Sequence, residues 1–114
     1  MEVKGENYSV WYEPDTAIIN FTGALRLSDM DDYALISQLL NDVVDKEPPT
    51  ITLNLQQLNF LNSSGISMLS RFAINLRKKN TIKMIIKGAN SIPWQGKSLK
   101  NLQRLMPGLM LELQ

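Results

Sequence analysis

Two adjacent serines, Ser63 and Ser64, stand between an alternating apolar stretch and a run of apolar residues at helical spacing. That context puts both hydroxyls at a helix N-terminus, where unpaired N–H groups and the positive end of the helix dipole hold a capping oxygen, an anion or a phosphoryl group. A plain Ser N-cap is one use of such a position, and a phosphoacceptor is the other. Other chemistries are poorly supplied. The chain has no Cys and no His, which removes thiolate nucleophiles, disulfides and the commonest general base and metal ligands. Asp29, Asp31 and Asp32 crowd the first turn of an expected helix, where carboxylates favour the dipole without any catalytic duty. Gly88 and Gly96 are too isolated to cradle a nucleotide. No catalytic residue, cofactor or metal is expected, and the chain reads as a binding protein rather than an enzyme.

The elements that must position the serines follow from periodicity. Tyr8–Tyr12 and Ala17–Thr22 read as a hairpin about the Pro14-Asp15 turn, closed by Gly23. Ser28 or Asp29 can cap a helix to about Val44, with Tyr33, Ile36, Leu39, Leu40 and Val43 on one face. After Pro48-Pro49 come a strand Thr50–Leu55, a helix from about Ser64 to Lys79 with Ile66, Leu69, Phe72, Ala73 and Leu76 as its apolar stripe, and a strand Thr81–Lys87. A loop Gly88–Gly96, a helix from about Ser98 to Met106 and a strand Leu109–Leu113 complete the order. Strands alternating with helices imply an α/β fold with a mainly parallel sheet of about five strands behind an N-terminal hairpin. Thr52 and Asn54, Asn20 and Thr22, and Lys83 and Lys87 alternate with apolar neighbours, so the helices should lie mostly on one face and leave the other partly open. A chain of 114 residues, 44% of them hydrophobic, fits one domain over 1–114.

The run Ile51-Thr52-Leu53-Asn54-Leu55, Gln56 to Leu61 and Asn62-Ser63-Ser64-Gly65 resembles the signature of STAS domains, the anti-sigma-factor antagonist family: an aliphatic strand, a short loop with an aromatic, then Asp-Ser-Ser/Thr-Gly opening a helix. The resemblance implies a cytoplasmic partner-switching regulator. In that family a serine kinase modifies the first serine and a metal-dependent serine phosphatase restores it. Carried onto this chain, the phosphoacceptor is Ser63, with Ser64 and Gly65 as motif neighbours. The family's Asp position is Asn62 here, and an acid restored there should alter phosphorylation rate more than stability, since a carboxylate suits a helix N-terminus. A STAS scaffold that is not phosphorylated, or a ligand-sensing module, is the alternative.

Projected at 100° per residue, the second helix turns Ser67, Ser70, Arg71, Ile74, Asn75 and Lys78 away from its stripe. Ile74 is apolar among polar neighbours, so Ser67, Arg71, Ile74 and Lys78 form a candidate partner surface beside Ser63. Trp94 either packs against the third helix or stands exposed as a second anchor. Charge is uneven: residues 1–70 hold three bases against ten acids, giving −7, and residues 71–114 hold nine bases against Glu112, giving +8. Folding either interleaves these charges or leaves the molecule electrically polar, in which case the basic half attracts an acidic partner, or less readily nucleic acid. No stretch approaches the roughly 18 consecutive apolar residues a spanning helix needs, and the start lacks a signal-peptide apolar region, so no membrane is expected as a partner.

Overall fold

The computed structural model describes residues 1–29 and 31–114. Met30 lies outside the described residues. Six strands, β1 (Glu2–Lys4), β2 (Tyr8–Glu13), β3 (Ile18–Leu25), β4 (Thr50–Leu61), β5 (Lys83–Gly88) and β6 (Met110–Leu113), form one sheet in the order β1-β2-β3-β4-β5-β6. The first two pairings are antiparallel and the last three parallel. Helices α1 (Ala34–Asp45), α2 (Ser63–Lys79) and α3 (Gln95–Leu105) make the three crossovers. Each crossover moves one strand in the same direction, and right-handed connections of that kind stack their helices on one face. The mixed α/β sheet with an N-terminal hairpin and one-sided helices agrees with the sequence expectation.

The core lies between that helical layer and one side of the sheet. Val10, Ile19, Phe21, Ile51, Leu53, Leu55, Met84 and Ile86 supply the sheet side, and Ile36, Leu40, Val43, Leu69, Phe72, Leu76 and Leu99 the helical side. On the opposite face, Asn54 Nδ2 donates to Asn20 Oδ1 at 2.9 Å, Asn20 Nδ2 donates to Glu13 Oε2, and the Ser9 and Thr22 hydroxyls share a hydrogen bond at 2.9 Å. Those are the polar members of the alternation, and without helices above them they satisfy one another.

Several boundaries depart from expectation. The three-residue β1 was not anticipated, because so short a strand carries no readable period. Gly23 does not end β3. It takes φ 90°, and the strand bends through it to Leu25. The expected strand Thr50–Leu55 runs on to Leu61, with register shifts where Asn20 and Thr22 of β3 face Asn54 and Gln57, and again between Gly23 and Ala24. Those shifts space the buried leucines as 53, 55, 58 and 61, which hides the two-residue period. Asp29 caps a 3₁₀ turn, Asp31–Tyr33, by accepting from the Asp31 and Asp32 N–H groups, and α1 begins only after it. The expected loop Gly88–Gly96 is shorter, since α3 starts at Gln95.

Candidate functional site at the start of α2

Asn62, and not a serine, is the N-cap of α2. It has extended backbone, and its side-chain Oδ1 accepts from the Gly65 N–H at 3.0 Å. The same oxygen accepts from the Tyr33 hydroxyl at 2.7 Å, while Nδ2 donates to the Leu27 carbonyl at 2.7 Å. An N–H at one end and a carbonyl at the other fix which way the amide points. Asn62 thus ties the loop after β3 to the start of α2. Tyr33 is fully buried, and burial pushes its phenol above the ordinary value, with a backbone hydrogen bond at Leu27 opposing and Tyr8 adding to the shift.

This geometry changes the expectation for an acid at position 62. A carboxylate accepts from Gly65 and Tyr33 as the amide does, but it has nothing to donate to Leu27. The cost therefore falls on stability, because two acceptors would face each other at hydrogen-bond distance. Gly65 has an equally local reason. A Cβ there would lie 2.8 Å from the Tyr33 hydroxyl and closer still to the Leu61 side chain, so the Tyr33–Asn62 contact needs the empty side of a glycine.

The two serines differ. Ser63 is exposed at the first position of α2, whereas Ser64 is half-buried. Of the four N–H groups that open the helix, that of Gly65 goes to Asn62 Oδ1 and that of Ile66 to the Asn62 carbonyl at 3.0 Å. Those of Ser63 and Ser64 have no acceptor among the described residues. Ser67, Arg71, Ile74 and Lys78 are exposed along the helix as projected, Ile74 to 38%. Arg71 also lines a groove of about 430 Å³ between α1 and α2, together with Asp31, Gln38, Met68 and Phe72.

Trp94 is half-buried, and its indole N–H donates to the Leu58 carbonyl at 3.0 Å, so the structure gives it a packing role beside β4. Beside it lies a residue that sequence reasoning missed. Gln95 is fully buried; its Nε2 donates to the Leu55 and Leu58 carbonyls at 2.7 and 3.1 Å, and its Oε1 accepts from the Ala89 N–H at 2.8 Å. The β4–β5 ladder stops at Asn54 and Lys87, so beyond it Gln95 and Trp94 stand in for the missing strand. No periodicity marks this duty, and Gln95 read as a loop residue.

Among the described residues no cluster of acids is arranged to hold a metal ion, and no helix is long and apolar enough to cross a membrane.

A family model described as STAS domain matches residues 13–95, and comparison with curated proteins finds no match. Several solved structures are similar, three of them as follows. One is a chain of the Pseudomonas aeruginosa complex of the diguanylate cyclase SiaD with its activator SiaC, at TM-score 0.76 and 7% identity over 100% of this chain and 99% of that one. SiaC of Pseudomonas aeruginosa itself gives 0.75 and 8% over 100% and 96%. An anti-sigma factor antagonist from Mycobacterium paratuberculosis gives 0.67 and 18% over 95% and 90%. At these identities the likeness is one of fold.

Proposed function

The chain belongs to the STAS-domain family, and on that premise we propose that it is a regulator acting by reversible association with a partner protein, with phosphorylation of Ser63 as the control. The observation that carries this reading is the exposure of Ser63 at the first position of a helix whose cap is already supplied by Asn62. Its hydroxyl has no structural duty to lose. A phosphoryl group adds about −1.5 to −2 charges, which the positive end of α2 and the N–H groups of Ser63 and Ser64 tolerate. A partner packed over the serine would have to desolvate that charge, so the modification disfavours the complex more than the fold.

The unmodified form is therefore the binding form. Its surface runs from Ser63 over Ser67, Arg71, Ile74 and Lys78 and includes the groove against α1. The family resemblance supplies the enzymes, a serine kinase and a metal-dependent serine phosphatase, and with them a cytoplasmic setting. The fold shared with the activator SiaC, which forms a complex with the diguanylate cyclase SiaD, supports a protein target for this chain as well.

Phosphopeptide mapping after incubation with the cognate kinase tests the site. Phosphate is expected on Ser63, and modification of Ser64 alone, or of Ser91 or Ser98, overturns the assignment. With a target in hand, Ser63→Asp should bind more weakly than Ser63→Ala, whereas equal affinities would make the domain a constitutive scaffold. Ile74→Asp should weaken binding by on the order of 1–3 kcal/mol while leaving the melting temperature nearly unchanged.

A further inference from the structure

The far end of α2 from Ser63 carries a feature that the switch does not use. Between the last turns of α2 and α3 and the starts of β5 and β6 lies a groove of about 460 Å³. Its floor is apolar, with Leu76, Ile82 and Met106 buried and Met110 54% exposed at the rim. Arg77, Asn80, Thr81 and Lys83 supply its polar lining, which contains no carboxylate.

Helix dipoles account for only part of this charge. Arg77, Lys78 and Lys79 in the last turn of α2, and Arg104 in that of α3, complement C-terminal carbonyls, and Arg77 Nη1 donates to the Leu105 carbonyl at 3.2 Å. Lys83 serves no helix. It is exposed at the first position of β5, opposite Thr50. Sheet order also follows chain order, so β1, β2 and β3, from the acidic part of the sequence, lie towards one edge of the sheet and β5 and β6, from the basic part, towards the other. The two sets meet in the groove between α1 and α2, where Asp31 and Arg71 are both lining residues. The one acid after residue 70, Glu112, is registered with Lys87, further along β5 and β6 from the groove.

We propose that this groove is a second docking site, for an acidic segment of a partner protein that carries apolar side chains. The apolar residues would seat over Met106 and Met110, and the carboxylates would lie between Arg77 and Lys83. The 17 residues of α2 put the groove about 24 Å from Ser63, some three Debye lengths at physiological salt. It therefore works independently of the charge on that serine and does not rest on the phosphorylation reading.

A short fluorescein-labelled peptide of glutamate and leucine, titrated with the full chain at low and high salt, is the test. Its counterpart has glutamine for every glutamate. The glutamate peptide should bind, weaken with salt and exceed the glutamine peptide about tenfold, and Lys83→Glu with Arg77→Glu should remove that advantage. If the reversals disturb folding, Lys83→Gln with Arg77→Gln gives the same readout, with a loss of several-fold. Met110→Gln should weaken both peptides, as loss of an apolar seat requires. Equal binding of the two peptides, or binding insensitive to the Lys83 and Arg77 variants, overturns the proposal. So does a tenfold loss in Ser63→Asp, which would make the groove part of the switch surface. Salt-sensitive self-association of the chain abolished by the same variants, or their loss of single-stranded oligonucleotide binding with no peptide bound, would assign the groove to a second copy or to nucleic acid instead.

Discussion

Asn62→Asp is the sharpest perturbation of the site, because charge at a helix N-terminus and the local hydrogen bonds give opposite signs. A carboxylate there gains about 0.3–1 kcal/mol from the helix dipole. Against this, the Leu27 carbonyl loses the donor now 2.7 Å away and faces a second acceptor. An orphaned, partly buried carbonyl costs about 1–3 kcal/mol. The hydrogen bonds win, and the variant should be about 1–2 kcal/mol less stable at pH 7, lowering the melting temperature by roughly 4–10 °C. Urea unfolding of both proteins at pH 7 measures it, with Asn62→Ala as control: it loses the cap and leaves Tyr33 and Leu27 unpaired, costing about 2–4 kcal/mol. An aspartate variant as stable as wild type would refute the Asn62–Leu27 bond as the reason this position is an amide.

Two further changes probe the supports of the site. Gly65→Ala should destabilise by about 1–3 kcal/mol in thermal unfolding, since its methyl must displace Leu61 or the Tyr33 hydroxyl; a neutral result would mean the start of α2 has room that the geometry denies. Gln95→Leu, close in volume, leaves the Leu55 carbonyl and the Ala89 N–H without their side-chain partner and should cost about 2–4 kcal/mol, with faster amide exchange at Ala89 than elsewhere in the sheet.

The helices were legible because their buried residues repeat at three- and four-residue spacing and each stripe meets a single sheet face. That is why Ile74 and Arg71 projected outward correctly. What could not be read depends on residues distant in the chain. The extension of β4 hides behind its register shifts, and the carbonyls freed beyond the β5 ladder are satisfied by Gln95, 40 residues from Leu55. The cap at Asn62 needs Tyr33, 29 residues earlier, and Leu27, 35 earlier; no local pattern connects them. Sheet order follows chain order, which sets the acidic and basic strands towards opposite edges, while Asp31 and Arg71 still meet in the groove between α1 and α2. The same reasoning separates the members of the motif. Asn62 is an amide because of Leu27, Gly65 lacks a side chain because of Tyr33 and Leu61, and Ser64 is half-buried. Ser63 alone is exposed with no contact dictating its hydroxyl, which leaves that oxygen accessible for the modification proposed above.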